Sequence, residues 1–314
     1  MMKRKLRKTV AFVLLLMLLL TAFLPGNEKK AGLDPQQISR DTHFLCNEIG
    51  IRVTGTEKER EAADWIEDCL RQAGFSGENL HRISFTGAKD QPSENIIAVC
   101  NPEREGPLIS VVAHYDSVAT SVGARDNAAS VAALLEIARY LGQENKNYPC
   151  QIRMVFLGSE ENGYHGSAAY VASLTEEELR NHVVAFNMDI SAASAEDQAV
   201  LVCNTLGMVK DGVYQEGNFI QPSWSNAANA IARAYEKLYG RELGGVFHFG
   251  ESDHVSFHNA GLEAVNVCWR RTENGMPVLP ESYHKPEDTP EELDYDTVTA
   301  SAECILMAIR ILVK

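Results

Sequence analysis

The stretch that decides the fold is LISVVAHYD, residues 108–116. Its first six residues are uncharged and mostly apolar, which is typical of a strand buried on both faces of a sheet. The run leads directly into His114, Tyr115 and Asp116. Because ligands of open α/β sheets bind beyond the carboxyl ends of the strands, this stretch predicts a buried strand that carries a histidine and a carboxylate to a functional edge.

Outward from this strand, apolar β-branched runs alternate with helical patterns. The runs that predict buried strands are Ile96–Cys100, Leu108–Ala113, Gln151–Leu157, Val183–Met188, Val200–Cys203 and Ala264–Cys268. Asp34 and Thr56 are predicted to cap two early helices, and residues 297–312 are predicted to form a closing helix. This order predicts an α/β sandwich with a largely parallel sheet. No Pro-, Gly- or Ser-rich linker divides residues 31–314, so we expect one domain there.

The first 30 residues have a different character. Basic residues at positions 3, 4, 5, 7 and 8 precede an apolar run from Val10 to Leu24 that only Thr21 interrupts. This is the pattern of a secretory signal, although the run is shorter than the ~20 residues that cross a bilayer. We therefore expect residues 1–30 to be a signal peptide or a signal anchor. The protein would then be exported, either secreted or held through residues 10–24 on the outer face of the cytoplasmic membrane, where disulfides are permitted.

Charge and cysteine content exclude several classes of function. The 314-residue chain has a formal net charge of −14, and its basic N-terminus leaves the remainder still more acidic. Such a surface repels phosphate backbones, so nucleic acid is not an expected partner. The seven cysteines contain no C-x-x-C pair, which excludes zinc-ribbon and thioredoxin-like sites.

Further charged or imidazole side chains follow the other predicted strands or lie in nearby turns: Asp126, Glu160, Glu161, Asp189 and His284. Each of them alone is commonly a helix cap or a solvated surface residue. Gathered with His114 at one sheet edge, the carboxylates would repel one another unless a cation were present. Imidazoles and carboxylates suit Zn²⁺, with Mn²⁺ or Co²⁺ as further candidates. Two histidines and three carboxylates, one of them bridging, would give each of two metals three protein ligands and leave a position for water.

Six sequence motifs make the chain resemble peptidase family M28, the group of bacterial leucyl-type aminopeptidases. In order, they are residues 114–116 (HYD), 125–130 (RDNAAS), 160–167 (EENGYHGS), 187–189 (NMD), 252–254 (SDH) and 283–289 (YHKPEDT). The resemblance covers nearly all of the sequence after the N-terminal segment, from the region of residues 50–74, where residues 51–56 (IRVTGT) are typical of the family, to the closing helix. The resemblance implies a three-layer α/β sandwich with a mixed, mostly parallel central sheet flanked by helices.

The resemblance also implies a site with two Zn²⁺. His114 and Asp189 would hold one ion, Glu161 and His284 would hold the other, and Asp126 would bridge both. The chain would then be a dizinc metallopeptidase with peptide substrates, most simply an aminopeptidase that releases N-terminal residues.

Glu160 and Asp116 are the catalytic residues that the resemblance implies. Glu160 would be the general base, which takes a proton from the attacking water and passes it to the leaving amine. Asp116 would hydrogen-bond the His114 ring and fix its tautomer. Asp288 is expected to do the same for His284.

Alternatives within the same fold stay open at this point. A carboxypeptidase or dipeptidase is favoured if Arg125 meets a substrate carboxylate, and a glutaminyl cyclase shares the fold. Cyclases carry Asp-Ser where this chain has Asp126-Asn127, a peptide bond that the family leads us to expect in the cis form. Asp253 and His254 belong to a loop that lies near the substrate pocket in relatives, but an aspartate there is equally typical of a turn cap. The complete set of ligands argues against a non-catalytic scaffold.

Overall fold

The computed structural model of the protein describes residues 30–143, 148–194, 200–204, 218–219, 225–248, 251–273 and 276–313. Apart from Lys30, the predicted signal segment lies outside these residues. Within the part that is described, no helix is both long enough and apolar enough to cross a membrane.

The described strands are β1 Leu80–Thr86, β2 Pro92–Cys100, β3 Leu108–His114, β4 Gln151–Leu157, β5 His182–Met188, β6 Ala193–Ser194, β7 Val200–Asn204, β8 Asn218–Phe219, β9 Gly245–His248, β10 Ala264–Trp269, β11 Arg271–Glu273, β12 Met276–Val278 and β13 Leu293–Asp294. The described α-helices are α1 Pro35–His43, α2 Glu57–Gln72, α3 Ala129–Gln143, α4 His165–Ser173, α5 Glu176–Asn181, α6 Asn226–Tyr239, α7 His254–Asn259 and α8 Tyr295–Leu312.

Nine of these strands form one sheet, in the order β1-β2-β4-β3-β5-β10-β7-β9-β8. The four central strands β4, β3, β5 and β10 are parallel. They are bordered by β2, antiparallel to β4, and by β7, antiparallel to β10. The predicted mixed, mostly parallel sheet is confirmed, and each of its six predicted strands is present. The apolar pattern does not indicate β1, an edge strand whose residues are all half-buried or exposed.

Helices cover both faces of the sheet, which confirms the predicted three layers. Alternate side chains of β3, such as Val111, join one core with α1, α2, α3, α6 and α8. The intervening side chains, such as Val112, join a second core with α4 and α7 through Tyr170 and Phe257. Because side chains alternate along a strand, His114 points to the second face.

The predicted cap residues begin two of the helices. The Asp34 side chain accepts a hydrogen bond from the backbone N–H of Gln36 (2.9 Å), and the Thr56 hydroxyl accepts one from that of Glu59 (3.3 Å). A π-helical turn, Phe44–Ile49, carries the first helix on to Gly50.

Buried cysteines contribute to the core as small apolar side chains. Cys46, Cys69, Cys100, Cys150 and Cys304 are free thiols. The disulfides that export would permit are therefore not formed among these five.

Candidate functional site

The register of the two central strands brings His114 and Asp189 side by side. Val112 of β3 pairs with Asn187 of β5, so the residues two positions further on are level with each other and point to the same face. His114 Nε2 lies 3.8 Å from Asp189 Oδ1 and 3.1 Å from Asp126 Oδ1. We call His114, Asp126 and Asp189 the strand-end group.

Asp126 also belongs to a second group, which is carried by loops. Its other carboxylate oxygen, Oδ2, lies 3.3 Å from His284 Nε2, and the same imidazole nitrogen lies 3.1 Å from Glu161 Oε2. We call Asp126, Glu161 and His284 the loop group. Within each group, one potential ligand atom per residue lies within 4.8 Å of the others. Glu160 satisfies the same criterion with His114 and Glu161, so the fold gathers all of these predicted residues in one place.

Asp116 is fully buried beneath the site and contacts more than the histidine. Its Oδ1 lies 3.4 Å from His114 Nδ1 and accepts a hydrogen bond from the backbone N–H of Glu160 (3.0 Å). Its Oδ2 accepts hydrogen bonds from the backbone N–H of Glu161 (3.2 Å) and from the Thr54 hydroxyl (3.1 Å). The Asp116 carboxylate thereby contacts both the His114 imidazole and the backbone of Glu160, the predicted base.

The loop after Gly123 presents Asp126 in a backbone conformation that is not helical. The Asp126–Asn127 peptide bond is cis, as expected. The Asn127 side chain donates to the Met188 carbonyl (2.8 Å) and accepts from the Ile190 N–H (3.3 Å). Asn127 therefore holds the backbone on both sides of Asp189, a role that its place in the motif does not reveal.

The expected role of Asp288 is wrong. Its carboxylate does not serve the His284 ring but accepts hydrogen bonds from the backbone N–H groups of Arg125 (2.8 Å) and Asp126 (3.2 Å). These amides belong to the non-helical loop and need a side-chain acceptor because no helix provides one. His284 is held differently: its carbonyl accepts from the Thr120 hydroxyl (2.8 Å), and its ring stacks on Tyr283, with 3.7 Å between ring centroids.

Arg125 is buried, with 3% of its surface exposed. Its guanidinium donates to the Trp269 carbonyl (3.0 Å). Asp253 and His254 are also fully buried. Asp253 precedes α7 without capping it through a side-chain hydrogen bond, so the turn-cap interpretation is not supported.

Burial and proximity perturb the pKa values of these groups. Burial raises the pKa of Glu160 well above its usual value and that of Glu161 to about 7. Burial would lower the pKa of His114, but the neighbouring carboxylates, Glu160 foremost, raise it well above its usual value. The neighbouring carboxylates of Asp126 and Glu161 raise the pKa of His284 to about 10. The cluster therefore holds protons that a divalent cation would displace on binding.

The side chains fit a divalent metal. His114 Nδ1, Glu161 Oε1, Asp189 Oδ1 and His284 Nε2 are buried and have no hydrogen-bond partner of good geometry among the described residues. Buried polar atoms usually have hydrogen-bond partners, and four such atoms without one at a single site are a donor set that a bound cation would satisfy. Imidazole and carboxylate are the donors that zinc accepts alongside thiolate.

Arg52 and Thr54 support the site from a segment to which the sequence pattern assigned no role. Arg52 is fully buried, and its guanidinium donates to the carbonyls of Leu45, Gly50, Tyr115, Val122 and Gly123 at 2.7 to 3.4 Å. It thereby holds both ends of the loop between β3 and Asp126. The available signal in the sequence was a charged residue, Arg52, between the apolar residues Ile51 and Val53.

Comparisons with known proteins agree with this geometry. The model of Peptidase family M28 matches residues 95–309. Aminopeptidase YwaD of Bacillus subtilis is 34% identical over 274 residues, which are 85% of this chain and 53% of that protein. The chain spans about half, or less, of the length of the first curated relatives that it matches.

Solved structures show the same fold at low sequence identity. The zinc aminopeptidase BSAP from Bacillus subtilis superposes with a TM-score of 0.77 at 20% identity, covering 91% of this chain and 97% of that one. A glutaminyl cyclase from Porphyromonas gingivalis superposes with a TM-score of 0.67 at 21% identity, covering 89% and 98%. Since the family model matches more than half of the sequence, the chain belongs to peptidase family M28.

Proposed function

We propose that the protein is a zinc-dependent aminopeptidase that uses two Zn²⁺ bridged by Asp126. The observation that carries this proposal is the position of the Asp126 carboxylate, which directs one oxygen to His114 and the other to His284. The Asp126 carboxylate lies between two imidazoles, and each imidazole also lies next to a second carboxylate. This arrangement suits two metal ions rather than one. The names of the relatives, aminopeptidase and zinc aminopeptidase, support the same activity.

The strand-end group would hold one ion through His114 and Asp189, and the loop group would hold the other through Glu161 and His284. Mn²⁺ or Co²⁺ would also fit such donors. When bound, the two ions supply a Lewis acid for the scissile carbonyl and lower the pKa of the attacking water.

Glu160 acts as the general base in this proposal. Glu160 is 6% exposed, and one of its carboxylate oxygens lies within 4.8 Å of a ring nitrogen of His114. Burial raises its pKa, which suits proton transfer nearer to neutral pH than an ordinary glutamate allows. It takes a proton from the attacking water and passes it to the nitrogen of the leaving amine. Asp116 supports this step by accepting the Glu160 N–H and by facing His114 Nδ1.

An aminopeptidase is favoured over a carboxypeptidase by the surroundings of Arg125. The carboxypeptidase alternative depended on this cation meeting a substrate carboxylate, and its guanidinium instead donates to a main-chain carbonyl within the fold. We also propose that the enzyme is exported and acts on peptides outside the cytoplasm, from the basic and apolar pattern of residues 1–30.

The test is hydrolysis of aminoacyl-p-nitroanilides by the purified full-length protein, compared with N-acetylated versions of the same substrates. Each substrate is measured as purified, after treatment with a chelator, and after addition of zinc. We expect chelator-sensitive and zinc-restored cleavage of the free-amine substrates alone. Cleavage of peptides only from the carboxyl end, or cyclisation of an N-terminal glutamine without hydrolysis, would overturn the proposal in favour of the carboxypeptidase or the cyclase.

A further inference from the structure

We propose that Glu59 is a positioning residue for Glu160, and this inference rests on the proposed role of Glu160 as the general base. Glu59 lies in the first turn of α2, outside the six motifs that carry the family resemblance. It acts together with Asp116, which holds the same loop from another direction.

Glu59 is a buried carboxylate whose hydrogen bonds are made away from solvent. It is 3% exposed. Its Oε2 accepts from the backbone N–H of Gly55 (2.6 Å), and its Oε1 accepts from the Ser93 hydroxyl (2.6 Å). Burying a carboxylate costs free energy. Because Thr56 already caps this helix, helix capping does not explain why Glu59 is buried.

Ser93 connects Glu59 to the loop that carries the base. A Cβ atom added to Gly158 would lie 2.2 Å from the Ser93 hydroxyl oxygen, so this hydroxyl packs directly against the Gly158 backbone. The next residue, Ser159, has a positive φ of 58°, and its hydroxyl donates to Asn162 (2.7 Å). Burial raises the pKa of Glu59 to about 7, and hydrogen bonds from Ser93, Gly55 and the Ser159 backbone oppose this rise.

Two buried carboxylates therefore support successive parts of one loop. The Ser93 hydroxyl donates to Glu59 and packs against Gly158. Asp116 accepts the backbone N–H groups of Glu160 and Glu161. This loop determines where the Glu160 side chain points. The strand-end group depends instead on β3 and β5, so loosening the Glu59 contact should displace the base without removing His114 or Asp189.

The substitution Glu59→Gln tests this inference. Glutamine keeps the size of the side chain but has one acceptor oxygen, so either the Gly55 N–H or the Ser93 hydroxyl loses its acceptor. We expect kcat to fall by about 10- to 100-fold, the range found when outer supporting residues are changed. KM and zinc content should stay near those of the wild type. Glu57→Gln is the matched control, because Glu57 is on the same helix with 86% of its side chain exposed, and it should behave as wild type.

A second readout separates this inference from the proposed activity. Amide hydrogen exchange of residues 158–163 should be faster in Glu59→Gln than in wild type or Glu57→Gln, while exchange in β3 and β5 stays unchanged. This comparison holds even if the wild type fails to hydrolyse the chosen substrates. If Glu59→Gln does not fold, Ser93→Ala provides the same comparison. A folded variant with wild-type kcat and wild-type exchange in residues 158–163 overturns the inference.

Discussion

The strand-end group and the loop group share Asp126, yet the fold constructs them differently. In the strand-end group, His114 and Asp189 are neighbours because β3 and β5 are paired in a fixed register. In the loop group, Glu161 and His284 come from two connections that lie more than one hundred residues apart in the chain. The His114 side chain is 1% exposed, whereas that of His284 is 34% exposed.

This difference indicates a division of roles within one site. The sheet holds the strand-end group in low-dielectric surroundings, where electrostatic interactions are strong. The loop group includes His284, whose side chain is partly exposed to solvent. We therefore expect the strand-end group to govern retention of metal and the loop group to respond first to changes in solution.

The largest effect should come from Asp126→Ala, which removes the residue common to both groups. Each group would lose one of its three potential ligands at once. We expect turnover to fall by at least about 10⁴-fold, as when a central catalytic residue is removed. Zinc content, measured by elemental analysis, should fall below that of any variant that changes only one group. Asp68→Ala on the exposed face of α2 is the control, and equal zinc in the two variants would contradict the bridging role.

Glu160→Gln and Glu161→Gln form a pair of neighbouring, similarly sized changes. Glu160→Gln should reduce kcat by about 10²–10⁴-fold while zinc content stays near wild type, because only proton transfer is lost. Glu161→Gln should instead lose zinc from the loop group, because an amide is a weaker ligand than a carboxylate. Measuring zinc and kcat on both proteins distinguishes these outcomes, and loss of zinc in Glu160→Gln would make that residue a ligand.

A chelator titration should separate the two groups in the wild-type protein. The more exposed loop group should release its ion at a chelator concentration lower by on the order of tenfold, because solvent weakens its electrostatic interactions. The His284→Ala variant should lack this first phase and retain the second. A single phase in the wild type, unchanged in His284→Ala, would show that the two groups do not differ.

The smallest effect concerns stability far from both groups. His182 lies at the amino end of β5, with Nε2 3.0 Å from the Ser110 hydroxyl. Burial, assisted by Arg153, lowers the pKa of His182 to about 4. Between this value and the ordinary pKa of about 6.5, the unfolded chain binds more protons than the folded one, so stability falls as the pH falls.

We expect the free energy of unfolding to drop by about 1–2 kcal/mol more between pH 7 and pH 5 in wild type than in His182→Gln. Denaturant unfolding at the two pH values measures this difference. His81→Gln, at an exposed position in β1, is the control and should follow the wild type. An identical pH dependence in wild type and His182→Gln would show that this histidine does not contribute.

Much of the molecule was determined by local features of the sequence. The apolar run at residues 108–113 and its five counterparts specify strands buried in a sheet, because such runs gain stability only when both faces are covered. Acceptor residues at positions 34 and 56 specify where two helices begin, because they satisfy amides within three residues. The order of the motifs pointed to the family, and that membership is shown independently by the family model.

Only the tertiary structure decided how the site is supported. Asp288 accepts backbone amides of the Asp126 loop, Asn127 holds the backbone around Asp189, and Glu59 reaches the loop of Glu160 through Ser93. Each contact joins residues between 34 and 163 positions apart. The packing of distant segments decides which buried amides and hydroxyls still need a hydrogen-bond partner. A buried polar group can pair only with groups that the fold brings near it. The sequence shows which side chains can accept a hydrogen bond, but only the assembled tertiary structure shows which donors they meet.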